Sequence, residues 1–96
     1  MKIGKDVDIS KIHPEINKRL DVIEAVIRAH GVVPELFNFG ALYDEDDPAD
    51  GDVAISWDDF TLAKGREVCD ALERALGPGF GTFNDVDEMF LYYDPK

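Results

Sequence analysis

Residues 43–57, YDEDDPADGDVAISW, limit most strongly what this chain can fold into. Six of the nine residues at positions 44–52 are acidic, and Pro48 and Gly51 lie among them. Burying several unpaired carboxylates would cost more free energy than a small domain can offset. The acidic run is therefore predicted to be a solvated loop at the rim of a sheet, followed directly by an apolar strand at residues 52–57.

The net charge of −11 is concentrated in the second part of the chain. Residues 1–40 hold six Lys or Arg and six Asp or Glu, whereas residues 41–96 hold four and fifteen. A negative field repels nucleic acid and anionic membranes and attracts basic surfaces. Two interpretations fit this charge: it serves solubility alone, or it forms a binding surface for a basic partner.

Length and composition predict a single domain spanning residues 1–96, because 96 residues with 45% hydrophobic content suffice for one core. Cys69 is the sole cysteine, so no internal disulfide can form, and its place in an apolar helical stripe predicts a buried thiol. The N-terminus lacks the apolar segment of a signal peptide, and no run reaches membrane-spanning length. These features predict a cytoplasmic protein.

Apolar spacing predicts two helices. The first opens at His13 and Pro14, since proline suits the first helical position, and closes at His30 and Gly31. The second is predicted for residues 60–76, where apolar residues recur at helical spacing before a Gly-Pro-Gly stop. Three residues before this helix have short polar side chains that can cap its first backbone N–H groups: Ser56, Asp58 and Asp59.

Strands are predicted for residues 35–43, with an interruption near Gly40, and for residues 52–57, 80–84 and 89–93, with a hairpin loop between the last two. The element order α-β-β-α-β-β predicts an α+β fold in which two helices pack on one face of a mostly antiparallel sheet. Leu20, Ile23, Leu72 and Phe90 are expected to belong to one core.

Patterns for metal binding or catalysis are incomplete. Asp46, Asp50 and Gly51 match positions one, five and six of an EF-hand loop, but Pro48 and Trp57 stand at the third and twelfth positions. The two histidines lie at opposite ends of the first predicted helix, about 25 Å apart at 1.5 Å per residue, so they cannot share a metal. No serine or cysteine has an identifiable histidine base, so nucleophilic catalysis has no support in the sequence. No catalytic residue, metal or cofactor is predicted.

Three segments carry a family resemblance that covers nearly the whole chain. Residues 7–15 read VDISKIHPE, residues 47–56 read DPADGDVAIS, and residues 88–96 read EMFLYYDPK. In this order they resemble the DIS-x-x-HPE start, the S-x-H-x-x-G-x-A-x-D motif and the H-x-H-V-E-Y-D-P-K end of small phage zinc peptidases of the D-alanyl-D-alanine carboxypeptidase and endolysin type.

The zinc ligands that this resemblance implies are missing. With Ala54 matched to the family alanine, the zinc histidine falls on Ala49, the zinc aspartate on Ser56 and the terminal histidine on Phe90. A zinc hydrolase needs three protein ligands and an open position for the activated water. The resemblance therefore implies a scaffold that has lost its metal chemistry.

The sequence predicts a non-catalytic acidic interaction protein, a phage-encoded inhibitor or DNA mimic that binds a basic, nucleic-acid-binding protein. Direct binding to nucleic acid or membrane is not expected. The alternative is an atypical or inactive zinc-dependent peptidoglycan peptidase. The predicted partner-binding residues are the carboxylates of the acidic loop and of the turn after the next strand: Asp44, Glu45, Asp46, Asp47, Asp50, Asp52, Asp58 and Asp59.

Overall fold

A computed structural model describes residues 2–4, 7, 9–38 and 52–94. Within them the elements are strand β1 (Lys2–Ile3), a 3-10 turn (Ile9–Lys11), helices α1 (Pro14–Asn17) and α2 (Leu20–Arg28), strands β2 (Glu35–Asn38) and β3 (Val53–Ser56), helix α3 (Leu62–Leu76), and strands β4 (Phe80–Asn84) and β5 (Met89–Tyr93). The predicted α+β class is confirmed.

The five strands form one mixed sheet in the order β1-β2-β3-β5-β4. β1 runs parallel to β2, whereas the pairs β2–β3, β3–β5 and β5–β4 are antiparallel. The predicted order α-β-β-α-β-β is therefore matched only in part, because it contains no strand before the first helix. A two-residue strand is too short to show an alternating pattern, and its partner lies over thirty residues away.

The first predicted helix is interrupted at Lys18 and Arg19, which is a correction to the single helix expected from His13 to His30. The backbone N–H of Arg19 donates to the carbonyl of Ile16, three residues back, at 2.9 Å. The Arg19 guanidinium donates to the Glu15 carbonyl at 2.9 Å and to its carboxylate at 3.0 Å. Local tightening at this point separates α1 from α2 while the apolar stripe continues toward the core.

Helix α3 begins at Leu62, and its cap is Thr61 rather than the predicted Ser56, Asp58 or Asp59. The Thr61 hydroxyl accepts from the Lys64 backbone N–H at 3.2 Å. The residues before it form a turn instead, in which the Trp57 and Phe60 rings pack at a tilt of 40° with centroids 4.5 Å apart.

One hydrophobic cluster joins the helices to the sheet. Its fully buried members are Ile16, Ile23, Ile27, Leu36, Val53, Ile55, Val68, Leu72, Met89 and Leu91. Of the four predicted core residues, Ile23 and Leu72 belong to this cluster and Leu20 packs against it partly buried. Phe90 does not belong to it, since it alternates with Met89 and Leu91 along β5 and so faces the other side of the sheet.

Helix α3 approaches the sheet closely at Gly65, which is buried in the first turn of the helix. A Cβ at this position would lie 2.6 Å from Phe60 Cζ and 3.1 Å from Asn84 Nδ2. Helix propensity alone predicts that Gly65→Ala stabilises the fold by about 1 kcal/mol. We expect the opposite, a loss of about 1–3 kcal/mol in the free energy of unfolding, because the new methyl group overpacks the contact.

Urea denaturation of Gly65→Ala measures this effect. Ala63→Gly, at an exposed position of the same helix, is the matched control and should lose about 1 kcal/mol by propensity alone. A Gly65→Ala variant that is more stable than the parent would show that the helix does not approach Phe60 and Asn84 this closely.

Candidate acidic interaction surface

Five of the eight predicted partner-binding residues lie outside the described part of the chain: Asp44, Glu45, Asp46, Asp47 and Asp50. The residues on either side of that segment are described. Asn38 and Val53 are paired across β2 and β3, so Asn38 and Asp52 lie at the same end of the sheet. The acidic segment is therefore joined to the sheet at one end of two neighbouring strands.

Asp58 and Asp59 lie beyond the other end of β3. Asp58 lies six positions after Asp52, and a strand rises by about 3.3 Å per residue, so the two lie roughly 20 Å apart. Both Asp58 and Asp59 are exposed, and Asp59 adopts a left-handed backbone conformation with φ of 60°. The structure does not bring them together with Asp52.

Strand register gathers a further group of carboxylates at the end of the sheet where Asp58 lies. β5 runs antiparallel to β3 with Ile55 opposite Met89, which brings the β4–β5 loop alongside the C-terminal end of β3. The Ser56 hydroxyl donates to the Asp87 carbonyl at 2.7 Å and ties this loop to β3. We call this group the β3-end cluster; its members are Glu35, Asp58, Asp59, Asp85, Asp87 and Glu88.

The β3-end cluster was missed in part by the sequence analysis because its members are up to 53 positions apart in the sequence. Within the described residues, no Lys, Arg or His lies within ion-pair distance of Asp58, Asp59, Asp85 or Asp87. Their charges are therefore not neutralised locally by the described chain. Only the pairing of β3 with β5 identifies this group, and no pattern in the sequence indicates that pairing.

A cavity of about 320 Å³ opens beside this cluster. Its lining residues are Lys2, Val33, Glu35, Ser56, Trp57 and Asp58. Lys2 Nζ lies 3.6 Å from Glu35 Oε2 at its edge. Trp57 and Val33 give the cavity an apolar wall. Its lining also holds two carboxylates, Glu35 and Asp58, against one ammonium group, Lys2, so its net charge is negative.

The two histidines stabilise helix ends and do not approach each other. His13 Nδ1 accepts from the Glu15 backbone N–H at 3.1 Å and its ring packs on Tyr93, with centroids 4.8 Å apart. His30 Nδ1 lies 2.9 Å from Glu67 Oε2 and links α2 to α3. In the described ranges no group of three His, Cys, Asp or Glu side chains is arranged to hold a metal.

The positions matched to zinc ligands in the resemblance hold other interactions. Ser56 on β3 and Phe90 on β5 are diagonal neighbours on one face of the sheet, because Ala54 pairs with Phe90. The Ser56 hydroxyl is engaged by the Asp87 carbonyl, and the Phe90 ring packs on Phe83 with centroids 4.5 Å apart. Ala49 lies outside the described residues. A phenyl ring offers no donor atom, so this pair of positions cannot hold zinc.

Cys69 is buried in α3, as its position in the apolar stripe predicted. Burial raises the pKa of the Cys69 thiol, and the nearby carboxylates of Glu73 and Asp70 act in the same direction, whereas a hydrogen bond with Thr82 opposes them. A thiol held protonated is a weak nucleophile. Cys69 therefore serves packing.

Glu67 connects α3 to α2 and should make folding stability depend on pH. Lys64 lies 3.1 Å from the Glu67 carboxylate, and its hydrogen bond, followed by that of His30, lowers the pKa of Glu67 below 4.5. A carboxyl whose pKa is lower in the folded state contributes stability above its unfolded pKa and loses it as the pH falls. We expect Glu67→Gln to lower Tm slightly at neutral pH.

The measurement is Tm from about pH 7 to about pH 3 for Glu67→Gln and for Asp70→Asn, an exposed carboxylate on the same helix. The control corrects for the general gain from removing one negative charge. The difference between the two variants should fade below pH 4.5. A difference that stays constant at all pH values would show that the Glu67 ion pairs are not formed.

No helix in the described part of the chain is long and apolar enough to cross a bilayer. Comparison of the chain with protein-family models, with curated proteins and with solved structures found no match. The resemblance to phage zinc peptidases therefore stays a prediction.

Proposed function

We propose that this chain is a non-catalytic acidic interaction protein that inhibits a basic, nucleic-acid-binding protein by occupying its DNA-binding surface. The observation that carries the proposal is the excess of carboxylates after residue 40, fifteen against four Lys or Arg. The sheet supports these charges at both ends of β3, with Asp52 at one end and the β3-end cluster at the other.

Uncompensated carboxylates on a rigid sheet suit such a role. Among the described residues, ion pairs involve the carboxylates of Glu15, Glu24, Glu35 and Glu67, all outside the β4–β5 loop and the Asp58–Asp59 turn. Repulsion among the remaining carboxylates weakens folding, which supports a role for them outside the fold. A surface that binds DNA phosphates through Lys and Arg accepts carboxylates through the same charge-assisted hydrogen bonds.

Binding of this kind should be steered by long-range attraction and weakened by salt. At an ionic strength of 0.1 M the screening length is about 10 Å, so charges spread over both ends of β3 act together only at lower salt. A cytoplasmic location, where basic nucleic-acid-binding proteins are abundant, is part of this proposal.

The test is capture of a partner from bacterial lysate at low salt, followed by binding measurements on the identified and purified protein. Asp46→Asn, Asp47→Asn and Asp50→Asn are combined in one variant. We expect a loss of affinity on the order of tenfold, a shallower salt dependence, and an unchanged or higher Tm. Displacement of DNA from the partner by the parent protein would establish the mimicry.

Two results would contradict the proposal. A partner that binds the triple variant as tightly as the parent, at low and high salt alike, would exclude the acidic segment as the binding surface. About one tightly bound zinc per chain in the purified protein, together with chelator-sensitive cleavage of peptidoglycan fragments, would favour the alternative peptidase function.

A further inference from the structure

Strand β4 forms the outer edge of the described sheet and leaves backbone groups pointing away from it. Gly79 accepts from the Asp94 N–H at 2.7 Å, and Asp85 donates to the Glu88 carbonyl at 2.8 Å. In an antiparallel pair the bonded residues alternate, so Gly81 and Phe83 share bonds with β5 while Thr82 and Asn84 direct their N–H and C=O groups outward. No described residue pairs with these outward groups.

The face of β4 opposite the helices is flat and aromatic. Phe83 is 51% exposed although its ring packs on Phe90. The Tyr92 ring lies directly over Gly81, so closely that a Cβ at Gly81 would collide with it. An added strand could therefore place apolar side chains beside Phe83 and Tyr92 without meeting a protruding group.

The helix-facing side of the same edge carries a carboxylate. Glu73 on α3 reaches β4 and accepts from the Thr82 hydroxyl at 2.8 Å. The Asn84 side chain donates to the Leu62 carbonyl at 3.0 Å and anchors the start of α3 beside this edge. A strand lying here would have one face against apolar rings and the other against a carboxylate.

We propose that the β4 edge accepts an extended segment of the partner by β-strand addition, and that this segment alternates basic with apolar residues. Backbone groups of Thr82 and Asn84 supply the pairing, Phe83 and Tyr92 contact the apolar side chains, and Glu73 contacts the basic ones. A second copy of this chain is disfavoured because each copy carries a net charge of −11. The proposal rests on the proposed function, whose basic partner it describes in more detail.

The test uses the full chain and a synthetic peptide of seven residues with alternating lysine and valine, acetylated and amidated at its ends. Two further peptides carry N-methyl groups on either the lysines or the valines. Only one alternating set of N–H groups can face β4, so one methylated peptide should lose affinity on the order of tenfold while the other keeps it. Thr82→Pro should weaken the unmethylated peptide to a similar extent, since it removes an outward N–H without disturbing the bonds to β5.

The methylated peptides keep the test decisive if Thr82→Pro fails to fold, and Thr82→Val serves as its matched control. Equal binding of all three peptides, with the salt dependence retained, would overturn the edge proposal and leave the acidic interaction function standing. Absence of saturable binding by any peptide would also overturn the edge proposal. The proposed function itself is tested separately, by measuring the affinity of the purified partner for the triple Asn variant.

Discussion

Replacing Leu72 with alanine is expected to lower the free energy of unfolding by about 2–5 kcal/mol. Leu72 lies on α3 with none of its surface exposed, and it belongs to the cluster that joins the helices to the sheet. Truncation removes the buried methyl groups and leaves a cavity that close-packed neighbours fill only in part. Small domains have total stabilities of about 5–15 kcal/mol, so the variant should lose a large share of its stability.

Chemical denaturation of Leu72→Ala and Ile23→Ala measures the loss on both helices. Leu20→Ala should lose less than either, because Leu20 is only partly buried against the cluster. Val22→Ala is the matched control on α2, since Val22 is 45% exposed and should cost less than about 0.5 kcal/mol. Losses below that value at both Leu72 and Ile23 would mean that the helices present other faces to the sheet.

Phe90→Ala is expected to destabilise the protein by about 3–5 kcal/mol, although Phe90 lies outside the main cluster. Only 3% of its surface is exposed, so the face of the sheet opposite the helices buries apolar surface as well. Phe→Ala removes a whole ring, and the fold on this face should lose both transfer free energy and packing contacts.

Phe83→Ala provides the comparison, because the Phe83 ring contacts Phe90 and is half exposed. Its loss should be clearly smaller, and a double-mutant cycle should give a coupling of about 0.5–1.5 kcal/mol for the ring pair. A cost for Phe90→Ala near that of Phe83→Ala would show that Phe90 is not enclosed. Such a result would also remove the support for a flat aromatic surface beside β4.

Local sequence signals predicted the elements that depend on near neighbours. β4 and β5 begin and end where the aromatic runs indicated, at Phe80–Asn84 and Met89–Tyr93. Helix α3 ends at Leu76, where Gly77 adopts φ of 84°. The sequence placed its start two residues early, because Thr61 caps the helix and the tilted Trp57 and Phe60 rings pack in the turn before it.

The predicted site was limited by distance along the chain. Asp58 and Asp59 follow the same strand that Asp52 precedes, and adjacency in sequence suggested one patch. An extended strand instead separates its two ends by about 3.3 Å per residue. Glu88 and Asp87, more than 25 positions later in the sequence, are the residues that β3 brings near Asp58.

The sequence by itself determined the α+β class and the burial of Cys69 and of the helix stripes, whereas the predicted solvation of the acidic run lies outside the described residues. These features depend on near neighbours in the sequence. Side-chain direction repeats every 3.6 residues in a helix and every two in a strand, and an unpaired charge is costly to bury in any fold. Tertiary structure alone decided the parallel pairing of β1, the break at Arg19, the second buried face around Phe90 and the β3-end cluster. Each of these depends on which strands lie side by side, and pairing between distant residues leaves no regular pattern in the sequence.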